Sequence, residues 1–168
     1  GESWSNEITV IDNRFVSERV TQLRKWNINF VHSDICDVDK VKKYLQEANV
    51  VHHLAGVTDV ARTAEEQNHN PNREKELKRV AEEGTSVVIN NTSDKCKIIF
   101  PSTHVVFEGK DDLIEDIKED YLKLPKLNYA ISKDLNEEQL IKSNKNFIIL
   151  RLASVYGYST DTMRLNIM

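Results

Sequence analysis

Several features that would assign this chain to a specialised class of protein are scarce or missing. It has only two cysteines, Cys36 and Cys96, which lie far apart and form no metal-type spacing. Both are predicted to be reduced thiols of a cytoplasmic protein. No apolar run is long enough to span a bilayer, and no signal-peptide pattern is recognisable at the start, so no membrane association is expected.

Basic residues are not in excess either. The formal net charge is −4, which gives no reason to expect a nucleic-acid partner. Internal repeats and low-complexity segments are also missing. Hydrophobic residues make up 39% of the chain and charged residues 30%, which is typical of a globular domain. The 168 residues are enough for one such domain.

Short apolar runs, rich in β-branched residues, alternate with helical patterns along the chain. Strands are predicted at residues 8–11, 29–31, 49–54, 97–100 and 147–150. Continuous rather than alternating apolar runs are typical of strands that are buried on both faces. The sequence therefore predicts an α/β fold with a doubly wound parallel sheet.

Helices are predicted between these strands, at residues 16–26, from Asp37 onward, at 77–89 and from Tyr129 onward. Asp37 is expected to cap its helix. The polar stretch 65–74 and the acidic stretch 109–125 are predicted to be loops. Glu137 and Glu138 are expected to face solvent or a neighbouring helix.

The most informative pattern is Tyr129 followed four residues later by Lys133. On a helix, residues at this spacing share a face. A lysine charge there favours the phenolate and is expected to lower the tyrosine pKa from about 10 toward neutrality. Such a pair can take a proton from a hydroxyl group while a hydride leaves the same carbon. The alternative is an ordinary surface pair on a solvated helix.

Polar or small residues follow each predicted strand. They are Asp12, Asp34, Ala55 with Gly56, Ser102 with Thr103, and the segment 151–157. Ligands of doubly wound sheets bind beyond the carboxyl ends of the strands. The chemistry and the periodicity therefore point to the same edge of one sheet.

Seven ordered stretches carry a resemblance. They are residues 9–13, 33–35 and 53–58, then Glu83-Gly84-Thr85, and residues 100–107, 129–133 and 150–157. Together they resemble the extended short-chain dehydrogenase/reductase family, and within it the NAD-dependent nucleotide-sugar epimerases and dehydratases. The resemblance covers the whole chain and implies a Rossmann-like NAD-binding domain, of which residues 1–168 would form a part.

The resemblance implies a set of residues that bind NAD. Asp12 would accept hydrogen bonds from the adenosine ribose with Asn13 beside it, and Asp34 and Ile35 would hold the adenine. The backbone of residues 54–58 would run along the nicotinamide ribose and the pyrophosphate. The full set is Asp12, Asn13, Asp34, Ile35, Leu54, Ala55, Gly56, Val57, Thr58, Tyr129, Lys133 and Ala153. Without the family, Asp34 is equally a turn or cap residue, and Ala55-Gly56 an ordinary turn.

The same resemblance implies the catalytic residues Thr103, Tyr129 and Lys133. The Thr103 hydroxyl would hydrogen-bond the reacting sugar oxygen, and Lys133 would also contact the nicotinamide ribose. Ser102, Thr103, His104 and Ser154 are the predicted substrate contacts, with the segment 151–156 packed near the nicotinamide and the sugar diphosphate. From the residues alone, Ser102-Thr103 would be a helix cap or turn, and His104 a polar loop residue. No metal site is predicted, since His52 and His53 would face opposite sides of a strand.

Departures from the family pattern limit what is expected. Val105 stands where dehydratases carry an acid, which disfavours dehydration, and Ser154 and Ala81 stand where asparagine is common. The family's first strand with its glycine-rich phosphate loop, which would precede residues 8–11, and its C-terminal substrate-binding domain are not recognisable in this sequence, so a fragment of such an enzyme is expected. That strand lies between residues 8–11 and 50–53 in space, so a gap in the sheet and weak NAD binding by the isolated chain are expected.

The function predicted from the resemblance is an NAD-dependent nucleotide-sugar epimerase, of the UDP-sugar 4-epimerase type. The alternatives are a nucleotide-sugar reductase, decarboxylase or dehydratase on the same scaffold. A non-catalytic protein that binds or senses dinucleotides is the alternative from another class. By analogy with the family, a homodimer through the helices at 77–91 and 129–143 is expected.

Overall fold

The computed structural model describes residues 7–57, 63–109 and 115–153. Two predicted site residues, Thr58 and Ser154, lie outside the described residues. The elements are β1 (Thr9–Asp12), α1 (Ser17–Lys25), β2 (Asn29–His32), α2 (Val38–Glu47), β3 (Val50–His52), α3 (Ala64–His69), α4 (Pro71–Arg79), α5 (Thr85–Asn91), β4 (Lys97–Thr103), α6 (Asn128–Lys142) and β5 (Asn146–Leu152). A π-helical turn, Val80–Gly84, joins α4 to α5, and a 3-10 turn, His104–Phe107, follows β4. Within these ranges no helix has both the length and the apolar character that a membrane crossing requires.

All paired strands are parallel, as predicted, but they form two sheets. One contains β1 and β2, and the other has the order β3-β4-β5. Within the described residues no hydrogen-bonded ladder joins β1 to β3, which is the position of the predicted gap.

One apolar core spans both sheets. It contains Val41, Leu45, Val88, Ile98, Phe100 and Leu140. Ile11 of β1 and Ile35 after β2 pack against this cluster from the side of the first sheet. The helices α2, α5 and α6 therefore hold the two sheets together from one face, through burial of apolar side chains.

The segment predicted to be a loop, residues 65–74, is helical, so that prediction is wrong. The Thr63 hydroxyl accepts a hydrogen bond from the Glu66 N–H at 3.2 Å and caps α3. The Asn70 side chain caps α4 in the same way, through the Arg73 N–H at 3.1 Å, and Pro71 occupies the first turn. These caps satisfy N–H groups that helix ends otherwise leave unpaired, so a polar sequence can form two short helices.

The prediction that β4 ends at Phe100 is also wrong, since the strand continues through Pro101 to Thr103. Its last bond toward β3 joins the His53 N–H to the Ile99 carbonyl at 2.9 Å. The backbone groups of Pro101 point toward the β3 side of the sheet, as those of Ile99 do. Because β3 has already ended at this level, no N–H donor is needed from residue 101. On the other side β4 pairs with β5 as far as Leu152.

Asp37 lies at the N-cap position of α2, as predicted, but its side chain makes no capping bond. Its carboxylate instead pairs with Lys40 Nζ at 2.8 Å.

Both cysteines are free thiols. Burial raises the pKa of Cys36 to about 11, which leaves this thiol protonated and unreactive near neutral pH.

A short clasp of hydrogen bonds precedes α6 and fixes where that helix begins. The Leu124 N–H donates to the Val106 carbonyl at 2.9 Å, and the Gly109 N–H donates to the Leu124 carbonyl at 2.8 Å. One carboxylate oxygen of Glu108 accepts the N–H groups of residues 126 and 127 at 2.7 and 2.6 Å. Because α6 starts at Asn128, the clasp sets the position of Tyr129 in its first turn.

We expect Gly109→Ala to destabilise the protein. An alanine Cβ would lie 2.8 Å from the Leu124 Cβ and closer still to the Leu124 carbonyl oxygen, so the clasp would have to open. Overpacking of this kind typically lowers the free energy of unfolding by about 1–3 kcal/mol. Urea unfolding measures the change.

Gly56→Ala is the matched control, since nothing lies within 4 Å of the Cβ it would add. This variant should unfold at close to the wild-type urea concentration. Equal midpoints for the two variants would contradict a rigid clasp at Gly109.

Candidate active site

Thr103 ends β4 at the carboxyl edge of the three-stranded sheet. It is buried, and it lies opposite Leu152 in the ladder with β5. Its hydroxyl oxygen accepts a hydrogen bond from the Val105 N–H at 3.3 Å and so caps the 3-10 turn that follows. Thr103 therefore acts as the cap that the residue types alone predicted. A hydroxyl that accepts one bond still has a proton to donate and a second lone pair.

Lys133 extends from α6 to the same edge. Its Nζ donates to the Pro101 carbonyl at 2.9 Å and lies 4.6 Å from the centre of the Phe100 ring. Burial lowers the pKa of Lys133 to about 8, and the Glu137 carboxylate acts in the opposite direction. The lysine is therefore charged at neutral pH but loses its proton in the mildly alkaline range.

Tyr129 lies one helical turn before Lys133, and the lysine Nζ is 5.9 Å from the centre of its ring. Burial raises the pKa of Tyr129. This direction is opposite to the lowering expected from sequence. The half-buried phenol loses solvation, and the lysine amine is bonded to the Pro101 carbonyl.

Ser102 was predicted to contact the substrate, but its hydroxyl is directed inward. It is buried and donates to Glu137 Oε1 at 2.5 Å. The prediction that Glu137 faces solvent or a neighbouring helix is wrong, since it is fully buried and binds Ser102 of β4 and Arg151 of β5. The next predicted contact, His104, is exposed, and its Nδ1 lies 3.2 Å from the Leu152 carbonyl. A carbonyl only accepts, so Nδ1 carries a proton and donates in this bond.

Arg151 does not point freely toward a ligand. Its Nη2 donates to Glu137 Oε2 at 2.8 Å, and its Nη1 donates to the Glu119 carbonyl at 2.5 Å. The guanidinium also lies 5.3 Å from the centre of the Phe107 ring. The expectation that the segment 151–156 packs near the nicotinamide and the sugar diphosphate stays a prediction.

Asp12 and Asn13 follow β1 at the edge of the two-stranded sheet. Both are exposed. Asp12 Oδ1 accepts the Arg14 N–H at 2.8 Å, and the Asn13 carbonyl lies 2.9 Å from His32 Nε2. The turn fixes the Asp12 carboxylate at the strand end and leaves it on the surface.

Asp34 follows β2, and protein groups bind both of its oxygens. Oδ1 accepts the Cys36 N–H at 2.9 Å, and Oδ2 accepts from Arg79 Nη2 at 2.6 Å. Partial burial acts to raise the pKa of Asp34, but these two partners hold it below its usual range. Since a carboxylate has about four lone-pair sites, room for a further donor remains. Ile35 packs on the core and against Gly84.

The segment after β3 is open on its outer side. Leu54 and Gly56 are exposed, and Ala55 and Val57 are half-buried. Ala153, the residue after β5, is exposed as well. Among the described residues no group of three or more His, Cys, Asp or Glu side chains is arranged to hold a metal ion.

The sequence profile of the 3-beta hydroxysteroid dehydrogenase/isomerase family matches residues 2–167, almost the whole chain. The chain belongs to this family. It is a family of enzymes within the extended short-chain dehydrogenase/reductase class, so the class inferred from sequence is confirmed. No curated protein matches the sequence significantly.

Solved structures share the fold of this family member. A UDP-glucuronic acid 4-epimerase from Bacillus cereus, in complex with NAD, superposes with a TM-score of 0.70 at 21% identity and covers 91% of the chain. A UDP-glucose 4-epimerase from Thermotoga maritima, with UDP-glucose, gives 0.73 at 23% identity and also covers 91%. A UDP-Glc/GlcNAc 4-epimerase from Campylobacter jejuni gives 0.72 at 22% identity and covers 95%. The chain spans about half the length of these enzymes, 49–50%.

A buried polar network that sequence reasoning missed lies beneath the lysine. His53 Nε2 is 2.9 Å from Thr85 Oγ1. Asn136 directs its amide nitrogen to the carbonyls of Ala81 and Ser132, both at 3.0 Å, and its oxygen accepts from Thr85 Oγ1 at 3.2 Å. The single hydroxyl proton of Thr85 is used in that bond, so His53 Nε2 must be the donor to Thr85. His53 Nε2 therefore carries a proton.

The π-helical turn Val80–Gly84 makes this network possible. Turns of this kind are often found at functional sites. The Ala81 carbonyl within the turn accepts from Asn136 of α6, and Thr85 directly follows the turn. The network ties the end of β3, where residues 54–58 of the predicted NAD-binding set begin, to α5 and to the helix of Tyr129 and Lys133.

We expect His53 to stay neutral until the pH falls to about 4. Burial, together with the nearby Lys133 charge, lowers the pKa of His53 to about 4 from 6.5. Between these values the unfolded chain binds a proton that the folded chain does not. The free energy of unfolding should therefore rise with pH through this window. The contribution of His53 to it should be lost as the pH falls toward 4.

Imidazole NMR titration measures this directly, with His52→Gln to assign the signals of the adjacent histidine. The pH dependence of unfolding between pH 4 and 6.5 should be shallower in His53→Gln. A His53 midpoint near 6.5 would contradict the buried neutral network.

Proposed function

We propose that the chain carries part of the active site of an NAD-dependent nucleotide-sugar epimerase of the UDP-sugar 4-epimerase type. One observation supports this most. Lys133 reaches the Pro101 carbonyl, two residues before Thr103, with Tyr129 one turn away on the same helix. The three predicted catalytic residues thus belong to one edge of the sheet, where ligands of such folds bind.

The residues at this edge fit a dinucleotide. Gly56 has open space where a Cβ would stand, which allows a ligand to approach the backbone closely. Asp12 presents a surface carboxylate suited to ribose hydroxyls, and Asp34 keeps unused lone pairs for a donor such as an adenine amino group. The solved NAD complexes of similar fold, such as that of the Bacillus cereus enzyme, support this assignment.

In the proposed mechanism, bound NAD would supply the reversible hydride acceptor that inversion at the sugar carbon requires. Tyr129 takes the proton from the sugar hydroxyl and gives it back after the keto-sugar has turned over. Thr103 hydrogen-bonds the reacting oxygen. The Lys133 ammonium favours the phenolate form of Tyr129 and works against the effect of burial.

Dehydration is the weaker alternative on this scaffold. Val105, at the position where dehydratases carry an acid, is half-buried, and its N–H is bonded to Thr103. An apolar side chain cannot transfer the proton that the elimination of water requires. Reduction or decarboxylation would use the same Tyr129, Lys133 and Thr103.

A dimer through the helices at 77–91 and 129–143 and a cytoplasmic location remain part of the proposal. A surface groove of about 470 Å³ lies between those helices, lined by Glu82, Glu83, Ser86, Val87, Leu135 and Gln139. A non-catalytic dinucleotide-binding protein could use Lys133 to contact the nicotinamide ribose, but it would not need the Tyr129 phenol and the Thr103 hydroxyl beside it.

We expect Tyr129→Phe in the full-length protein that carries this sequence to lower kcat by about 10²–10⁴-fold, because the proton acceptor is lost. NAD affinity, followed by calorimetric titration, should stay near the wild-type value. Leu127→Ala at the same end of α6 keeps the phenol and should retain activity. An unchanged rate in Tyr129→Phe would refute the assigned role.

A second candidate is the oxidation of a hydroxysteroid, favoured by the family to which the chain belongs. Tyr129 would accept the proton of a steroid 3-hydroxyl, with Thr103 and Lys133 in the same supporting roles. The engagement of Arg151 by Glu137 also favours it, since a steroid has no diphosphate to be neutralised.

One assay separates the two substrate classes. The full-length protein is incubated with NAD and either a panel of UDP-sugars or 3β-hydroxysteroids. The epimerase proposal expects an inverted sugar at C4 and no net NADH. Accumulation of NADH and a 3-keto product with steroids alone would replace it with the second candidate.

A further inference from the structure

A carboxylate with no exposed surface lies one helical turn beyond the predicted catalytic lysine. Glu137 Oε1 accepts from Ser102 Oγ at 2.5 Å and from Arg151 Nε at 3.1 Å. Its Oε2 accepts from Arg151 Nη2 at 2.8 Å and from Lys123 Nζ at 3.2 Å. Lys123 also forms an ion pair with Asp134. These five residues, Glu137, Asp134, Lys123, Arg151 and Ser102, are called the Glu137 cluster.

The Glu137 cluster joins three separate segments to α6. Ser102 lies at the end of β4, Arg151 near the end of β5, and Lys123 in the segment between residues 115 and 127. Arg151 holds that segment a second time, through the Glu119 carbonyl. One carboxylate therefore fixes the ends of β4 and β5 and the segment between residues 115 and 127.

Stability alone does not account for this arrangement. The cluster contains two carboxylates and two cations, so its charges balance, but removing four charges from water is costly. Apolar residues of similar volume often stabilise a fold as well as or better than a buried ion pair. What ionic contacts add is direction, since each carboxylate oxygen accepts only donors at defined positions.

The cluster is continuous with the predicted catalytic residues. Ser102, bound by Glu137, lies between Pro101 and Thr103 in β4. Lys133, four residues before Glu137 on the same face of α6, binds the Pro101 carbonyl. Two successive residues of β4 are thus held by two successive turns of the helix, and the next residue of the strand is Thr103.

We propose that Glu137 is a positioning residue, which fixes Thr103 relative to Tyr129 and Lys133 through Ser102. Through Lys123 and Arg151, it also holds the segment 115–127 beside them. The proposal rests on the function proposed above, in which Thr103, Tyr129 and Lys133 act on the reacting hydroxyl. Glu137 itself touches neither substrate nor cofactor.

The kinetic test compares Glu137→Gln and Ser102→Ala in the full-length protein with its NAD and the sugar substrate. We expect kcat to fall about 10- to 100-fold in both, since small displacements of reacting groups have effects of this size. NAD affinity should stay close to wild type. Glu138→Gln is the matched control, because the adjacent Glu138 is exposed and pairs only with Lys142 at 2.9 Å among the ion pairs of the described chain.

A second readout does not depend on turnover. The titratable groups that face Lys133 are Tyr129 and Glu137 on its own helix and His53 from the end of β3. Of these, the Glu137 charge stabilises the ammonium, so Glu137→Gln should move the Lys133 titration, followed by side-chain NMR, below about pH 8. The alkaline limb of the kcat profile should shift the same way, and Glu138→Gln should leave both unchanged.

Wild-type kcat and an unmoved Lys133 titration in folded Glu137→Gln would overturn the proposal. If Glu137→Gln fails to fold, Ser102→Ala decides, since it keeps every charge of the cluster paired; wild-type kcat in that variant overturns the proposal and a loss supports it. If Tyr129→Phe retains activity, the proposed function fails, and the Lys133 titration still judges the role of Glu137.

Discussion

The rest of the site depends on one hydrogen bond, from the Lys133 amine to the Pro101 carbonyl, which joins α6 to the three-stranded sheet. Proline has no N–H, and β3 has already ended at this level of the sheet, so its carbonyl has no strand partner on that side. A buried carbonyl needs a donor. Lys133 supplies one and is thereby held at the edge where Thr103 ends the strand. An ammonium has three donors, so this bond leaves others for a ligand.

The inner face of α6 is unusual because directional bonds, as well as apolar contacts, fix it in place. Leu140 and Ala130 are buried among apolar side chains, but Asn136 and Glu137 are buried as well. Asn136 reaches the π-helical turn and Thr85, and Glu137 reaches Ser102 and the cations around it. A network whose polar groups are hydrogen-bonded specifies one arrangement more strictly than an apolar interface does. The position of Tyr129 therefore depends on the hydrogen bonds that Asn136 and Glu137 make farther along the same helix.

The sequence was sufficient for the fold class, because short apolar β-branched runs are typical of parallel strands whatever surrounds them. It failed where a local signal competed with composition. Thr63 and Asn70 were the capping residues of two helices in a stretch that looked like a polar loop. Pro101 looked like the end of a strand, because proline is a stop signal unless the neighbouring strand has already ended. That condition depends on where β3 ends, which composition does not reveal.

For the site, the spacing of Tyr129 and Lys133 was readable, but the environment that sets their protonation was not. The pKa directions of both follow from burial, which arises only when β4 and α6 pack together. The burial of Glu137 was equally hidden, since its partners come from residues 102, 123 and 151. A helix pattern cannot reveal partners that distant segments provide.

The engagement of Arg151 bears on the choice between substrates. In the proposed mechanism, Thr103, Tyr129 and Lys133 act on a secondary hydroxyl and do not discriminate between the rings that carry it. A nucleotide sugar also brings a diphosphate, which needs cations or N–H donors nearby. The Arg151 guanidinium is already shared between Glu137, the Glu119 carbonyl and the Phe107 ring, and Lys123 is paired with Asp134 and Glu137. A nucleotide-sugar substrate therefore requires a cation from outside the Glu137 cluster, whereas a hydroxysteroid does not. Under the proposed function, the choice of substrate therefore depends on which group neutralises the charge of the substrate beside Thr103.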